Sequence, residues 1–508
     1  MYRPHLGHAP AEDRTGRKNW PSWLGVSAAF RKPAPLWAGQ MHRCSCTPYR
    51  QPGTSCAPLT WMHPSHTISY FQHLANPLSW MHPGPAMRIR MTGGAANSYE
   101  AKRVTETNPV KTYRRIADVL RAAQRAAIEV ENAPDKRKRL RTFSAPEVAA
   151  LLGVKPRDIT AYANTLEERS GGARNRLAFS DILRLRQSLY DASGDLRFLP
   201  SRHPDQGEDL ATVVFSNFKG GSAKTTSSVH FAQYMAREGY RVLLVDLDSQ
   251  GSATAQFGID PSTEVGLDNS FTAWTAAQET GRQIQASELC QSTYWPSIDL
   301  VPAGAVLAQA EESLSKRSQN GKVEEVLYFD EMASFLTAVG DEYDIAVIDT
   351  RPDVNMLMTI ALHAATGLIV PARATMTDLA STGEFFAHLA SYVADFQEAF
   401  GNSLNVKFTR VMVTAYDPTD RSQEALVSLI RERFGDAVLP GEFLHSRIMG
   451  TAGFGKETLY EYEPTTDRAA YNRVVASANA VNQAIEREIL LGWGRVTAER
   501  VDPAEALA

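Results

Sequence analysis

The sequence predicts an α/β protein: a mostly parallel sheet with flanking helices, preceded by a small helical region. Three observations carry this. Short apolar runs alternate with helix-periodic stretches over residues 209–495. One run leads straight into a glycine-rich loop that opens a helix, Phe215-Ser-Asn-Phe-Lys-Gly-Gly-Ser-Ala-Lys-Thr-Thr226. Ahead of them, from Ser144 onward, a helix, a glycine and a second helix follow one another within about 20 residues.

The chain has 508 residues, room for two or three domains. Composition and period divide it into an extension over residues 1–95, a helical region over 110–200, the α/β region over 209–495 and a tail over 496–508. Four cysteines in this length exclude a disulfide-stapled scaffold and point to reducing cytosol. No apolar run reaches the ~18 residues of a membrane span. The net charge of -4 hides an asymmetry. Residues 1–91 carry ten Lys/Arg against two Asp/Glu, and residues 101–141 carry twelve against five. Residues 209–508 carry 22 against 40, a net of -18, so nucleic-acid contact there needs a local basic patch.

Residues 1–95 sustain neither a helical nor a strand period and are rich in Pro, His and Trp, which predicts disorder or a spurious extension with the natural start at Met87 or Met91. Trp23–Phe30 is apolar, but Gly25 and Ser27 interrupt it and weaken a signal-peptide reading. His42, Cys44, Cys46, Cys56, His63 and His66 are potential zinc ligands whose spacing fits none of the paired patterns.

In the helical region, Tyr113, Ile116, Val119 and Leu120 recur at helical spacing and mark an amphipathic packing or dimerising helix that stops before Pro134. The run Lys136–Arg141 reads as a solvated linker, with phosphate contact as the alternative. Ser144 and Glu147 form a capping box, with Val148, Ala149, Leu151 and Leu152 on the buried face. Gly153 breaks that helix, and Val154-Lys-Pro-Arg157 opens a second. This is a helix-turn-helix layout, in which Lys155, Arg157 and Thr160 would face a DNA groove. Arg174–Arg176 and a helix started by Ser180 suit a wing or a supporting helix.

Six strands are expected: Thr212–Asn217, Arg241–Asp246, Ile298–Val301, Ile345–Asp349, Gly367–Val370 and Phe408–Thr414. A helix follows the first over Thr225–Glu238. The loop between them suits a nucleoside triphosphate, because consecutive backbone N–H groups and a helix N-terminus attract phosphate. Gly220 and Gly221 let the backbone approach. Lys224 would lie along the phosphates, and the Thr225 hydroxyl would hold Mg²⁺. Asp246, Asp248 and Asp349 stand at strand ends, which a parallel sheet gathers on its ligand-binding edge.

Lys219-Gly-Gly-Ser-Ala-Lys-Thr225 resembles the deviant Walker A motif of the ParA/MinD ATPases, and Leu244–Gly251 and Asp349-Thr-Arg-Pro352 resemble that family's two acidic segments. The helix-turn-helix in front is similar to that of plasmid-partition ParA proteins. Thr458-Leu-Tyr-Glu461, Ala480–Glu486 and Gly492-Trp-Gly-Arg495 resemble the C-terminus of the RepA proteins of repABC-type replicons. The resemblance implies a P-loop NTPase fold and a weak, DNA- and partner-stimulated ATP hydrolase. By it, Gly220, Gly221, Ser222, Ala223, Lys224, Thr225 and Thr226 bind ATP, and Lys219 crosses a dimer interface to the partner's ATP. Asp248 positions the hydrolytic water, and Thr225 and Asp349 serve Mg²⁺. It further implies an ATP-dependent homodimer on the nucleoid in the cytoplasm, operator and non-specific DNA binding, autorepression, and a ParB/RepB-type partner. Non-specific DNA contact falls to Arg410, Arg421, Arg447 and Arg473 on this reading.

Two residues depart from the family pattern: Ser249 and Arg351 each replace a proline. Arg351 could reach phosphate or face solvent. A nitrogenase-reductase reading fails for want of cluster ligands, since residues 209–508 hold only Cys290. A MinD-like positioning ATPase should end in a basic amphipathic helix, and the tail carries Glu499, Asp502 and Glu505 instead. An ATP-sensing repressor without a transport role is the remaining alternative.

Overall fold

A computed structural model describes residues 109–131, 138–165, 176–320, 327–401, 403–449, 457–464 and 467–495, all within one compact unit of the chain, Arg103–Ala508. The expectations for residues 1–95, including the zinc ligands, and for the tail lie outside the described residues.

The helical region opens with α1 (Pro109–Glu131), on which Tyr113, Ile116, Val119 and Leu120 are exposed. Next come β1 (Phe143–Ser144), α2 (Ala145–Leu152), α3 (Pro156–Thr165), β2 (Arg176–Leu177) and α4 (Phe179–Ser193). Ser144 N–H and Oγ both reach Glu147 Oε2, at 2.8 and 2.7 Å, so the capping box forms. Gly153 ends α2 in the left-handed conformation, φ +62°, which glycine adopts without penalty. β1 pairs antiparallel with β2, and α4 supports the pair through Phe179, Ile182 and Leu185, which share a core with Phe143, Val148 and Leu152.

The α/β region holds α5 (Lys224–Glu238), α6 (Ser252–Gln256), α7 (Phe271–Thr280), α8 (Leu307–Asn320), α9 (Glu331–Val339), α10 (Met356–Ala364), α11 (Met376–Phe400), α12 (Arg421–Phe434) and α13 (Arg468–Gly492). Its strands are β3 (Ala211–Phe215), β4 (Val242–Leu247), β5 (Gln291–Ser292), β6 (Ile298–Val301), β7 (Ile345–Thr350), β8 (Gly367–Arg373) and β9 (Phe408–Thr414). They form one sheet in the order β5-β6-β4-β7-β3-β8-β9, parallel throughout except for β5. The six expected strands are present within a few residues, and β5, two residues long, has too little pattern to be read. Helices cover both faces, so the strands are continuously apolar rather than alternating. Val213, Phe215, Leu244 and Val347 face α5, α13 and the helical region, whereas Val214, Val245 and Ile348 face α7 to α11. The chain runs from β3 to one side of the sheet and later, through β8, to the other. The carboxyl end of β3 is therefore the switch point where such sheets bind ligands.

The basic run before α2 is not a solvated linker where it is described. Lys138 Nζ donates to Gln256 O (2.6 Å) and pairs with Glu461 at 2.8 Å, while Arg141 pairs with Glu147 at 3.0 Å. For Lys138 the acceptor is a buried carboxylate of the α/β region, which outcompetes water for the cation.

Candidate functional site: a phosphate-binding loop with a buried acid

The loop of residues 216–223 is fixed from both sides. Ser216 N–H donates to Ile369 O of β8 at 3.1 Å. The buried Asn217 side chain donates to Pro371 O (2.8 Å) and Thr382 Oγ1 (3.1 Å) and accepts from Lys219 N–H (3.2 Å). Thr414 Oγ1, at the end of β9, donates to Ser222 O at 2.9 Å. Gly221 (φ +75°) and Ala223 (φ +69°) are left-handed, and Ala223 caps α5. That turn aims the first N–H groups of α5 into the loop. Lys224 Nζ folds over the loop and donates to Lys219 O at 3.0 Å. Burial pushes the Lys224 ammonium down, opposed by Asp349 and Asp248. Gly220 and Gly221 are exposed, and Lys219, Thr225 and Thr226 are half-buried.

The three aspartates separate by role. Asp246 and Asp349 are register partners on β4 and β7, and both are fully buried. Asp246 accepts from Thr254 N–H (2.9 Å), Thr254 Oγ1 (2.8 Å) and Asp248 N–H (3.0 Å), so its oxygens are committed to the turn into α6. These bonds hold Asp248 and α6 in place beside Asp349. Asp248, half-buried, accepts from Gln250 N–H at 3.0 Å. Neither carboxylate oxygen of Asp349 has a hydrogen-bond partner. Its pKa is pushed up to about 8, first by burial and next by Asp246, against the pull of Thr225 and Lys224. An orphaned buried carboxylate beside a threonine hydroxyl and a phosphate-binding helix end is a donor set that fits a divalent cation carried by a nucleotide. Among the described residues, no three His, Cys, Asp or Glu side chains form a metal cage by themselves.

Of the other expected residues, Arg351 is half-buried and pairs with Glu311 (3.5 Å) and Asp353 (3.4 Å). The Arg410 guanidinium forks onto both oxygens of Glu488 at 2.9 Å, so its charge is neutralised within its own chain. Arg421, Arg447 and Arg473 are exposed. Lys155, Arg157 and Thr160 are exposed on α3 or the turn before it, although Thr160 Oγ1 donates to Pro156 O (3.0 Å). The sequence reading missed Asn217 and Thr414 as loop anchors, because contacts made across 154 to 192 residues leave no local signal.

The sequence family described as an AAA domain matches residues 210–406. A protein described as a replication protein A from Rhizobium rhizogenes is 33% identical over 370 residues, covering 72% of this chain and 90% of that protein. The chain belongs to the ParA/MinD-type ATPases of plasmid replicons. Within this family, Protein SopA of Escherichia coli K12 is 26% identical over 65% of this chain and 83% of its own. A solved structure titled Partition Protein shares the fold, with a TM-score of 0.50 and 17% identity over 76% of this chain and 99% of that one. The P-loop fold and a nucleotide-hydrolase kind of activity follow from membership. No helix among the described residues is long and apolar enough to cross a membrane.

Proposed function

We propose that this chain is a partition ATPase that dimerises around ATP, binds DNA in that state, and is discharged by a ParB/RepB-type partner. The observation that carries the reading is the pair of lysines on the loop. Lys224 is folded inward onto the loop, whereas the Lys219 side chain at its head has no hydrogen bond or ion pair among the described residues. A cation that its own chain does not use, at the exposed edge of a phosphate site, suits delivery to a second protomer's nucleotide. In the proposed site, Gly220 to Thr226 hold the phosphates, and Thr225 and Asp349 hold Mg²⁺. The ion supplies charge neutralisation of the terminal phosphates. Asp248, positioned by Asp246, orients the attacking water.

The exposed Lys155, Arg157 and Thr160 are the proposed operator contacts for autorepression, and Arg421, Arg447 and Arg473 the non-specific ones. The chain would then be cytoplasmic and nucleoid-associated. Sedimentation of the full chain with Mg²⁺ and a slowly hydrolysed ATP analogue tests the reading. The native chain should become a dimer, Lys224→Ala should lose nucleotide, and Lys219→Ala should bind nucleotide yet stay monomeric. A native chain that stays monomeric when saturated, or a Lys219→Ala dimer as stable as the native one, sinks it.

A further inference from the structure

We propose that Arg373 is a third cation of the phosphate site, binding the terminal phosphates of the nucleotide from the β8 side of the loop. The inference rests on the ATP site described above and adds a residue to it. Arg373 is the last residue of β8 and is exposed. Its register partner on β9 is Thr414, the residue that grips the loop through Ser222 O. The β8 end is therefore held against the loop by its neighbouring strand. The guanidinium follows: a Cβ built on Gly221 would stand 3.4 Å from Arg373 Nη2. A five-donor planar cation thus lies on the glycine whose positive φ shapes the cradle.

Charge makes the placement informative. The surrounding α/β region carries an excess of acids, and several of its arginines are paired with them. Arg241 pairs with Asp344, Arg351 with Glu311, Arg410 with Glu488, Arg431 with Glu442 and Arg495 with Glu208. Arg373 has no ion pair and no side-chain hydrogen bond among the described residues. Its only recorded polar contacts are made by its backbone, through the β8–β9 ladder and from Thr375 N–H to its carbonyl at 2.8 Å. An arginine kept unpaired in an acidic surface and laid over an anion cradle matches phosphate, which accepts two parallel N–H bonds. The local sequence gives no hint of it, because Arg373 lies 152 residues beyond Gly221 in the chain.

The test is a titration of the full chain with a fluorescent ATP analogue and Mg²⁺, comparing native, Arg373→Gln and Arg373→Lys proteins whose melting temperatures without nucleotide agree. Arg373→Gln should weaken binding about tenfold or more, and Arg373→Lys should recover part of that by restoring a point charge. The thermal shift produced by saturating ATP should shrink in the same order. Unchanged affinity in a folded Arg373→Gln protein overturns the assignment, including the case where only DNA binding falls, which would make Arg373 a DNA contact. A native chain that binds no ATP overturns the site reading itself, so the two failures are told apart.

Discussion

Ala223 occupies the position before Lys224, where the usual phosphate-binding loop carries glycine. Its φ of +69° is left-handed, a conformation that costs a residue with a Cβ roughly 1–2 kcal/mol. Ala223→Gly should therefore raise stability by about 1 kcal/mol while keeping nucleotide binding, measured by urea denaturation. A loss of stability would show that the strain is not located there. His230, on α5, is buried with Nδ1 at 2.6 Å from Thr226 O, and its Nε2 accepts Leu459 N–H at 3.1 Å. Donating at one nitrogen and accepting at the other requires the neutral ring, and burial pushes its pKa down to about 4. The unfolded ring protonates near 6.5 while the folded one does not until about 4. Its contribution is therefore complete above pH 6.5 and is lost as pH falls between those values, about 2 kcal/mol by pH 5. His230→Asn should lose correspondingly less stability between pH 7 and pH 5, and an equal loss in both proteins would refute this account.

At the scale of elements, Glu461 joins four parts of the chain. It accepts from Gln233 of α5 (2.8 Å), from Trp295 Nε1 (2.9 Å) and from Tyr294 OH beside β5, and pairs with Lys138 from the segment entering α2 (2.8 Å). Burial pushes its carboxyl up, but Lys138 and the surrounding donors outweigh that and hold it below the usual range. This contact ties the helical region to α5, the helix that Lys224 opens. Glu461→Gln strands the Lys138 charge and should cost about 3 kcal/mol, whereas adding Lys138→Met should restore part of it. A single variant as stable as the native protein in denaturant would mean that water already satisfies Lys138. The resemblance marked Thr458–Glu461 as characteristic, and the network gives the physical reason.

At the scale of the whole molecule, the proposed function divides DNA contact between two surfaces. The α/β region is acidic overall, so the proposed bulk binding through Arg421, Arg447 and Arg473 would be local and salt-sensitive. Arg157 is 77% exposed and only loosely paired with Asp158 at 3.5 Å, which leaves it available to a groove. Arg157→Ala should weaken operator binding by roughly 1–3 kcal/mol and leave bulk DNA binding nearly intact in filter-binding titrations across salt. Equal losses on both DNAs would argue against a separate reader. Asp248→Ala should abolish hydrolysis but preserve repression. A plasmid carrying it should be lost from dividing cells, and faithful inheritance would favour a repressor that only senses ATP.

The sequence by itself determined the parallel sheet, the loop with Lys219 and Lys224, the acidic strand ends and the capped α2 with its glycine stop. Each of these is a local pattern in which residue type and spacing fix backbone conformation or burial. Only the tertiary structure decided which charges are available. It committed Asp246 to Thr254 and left Asp349 without a partner. It also cancelled Arg351 and Arg410 with acids, drew Lys138 into the core and set Arg373 against Gly221. Those outcomes depend on neighbours scores to hundreds of residues away. A side chain's charge is read from its letter, but its freedom to act is set by what the fold places within a few ångströms of it.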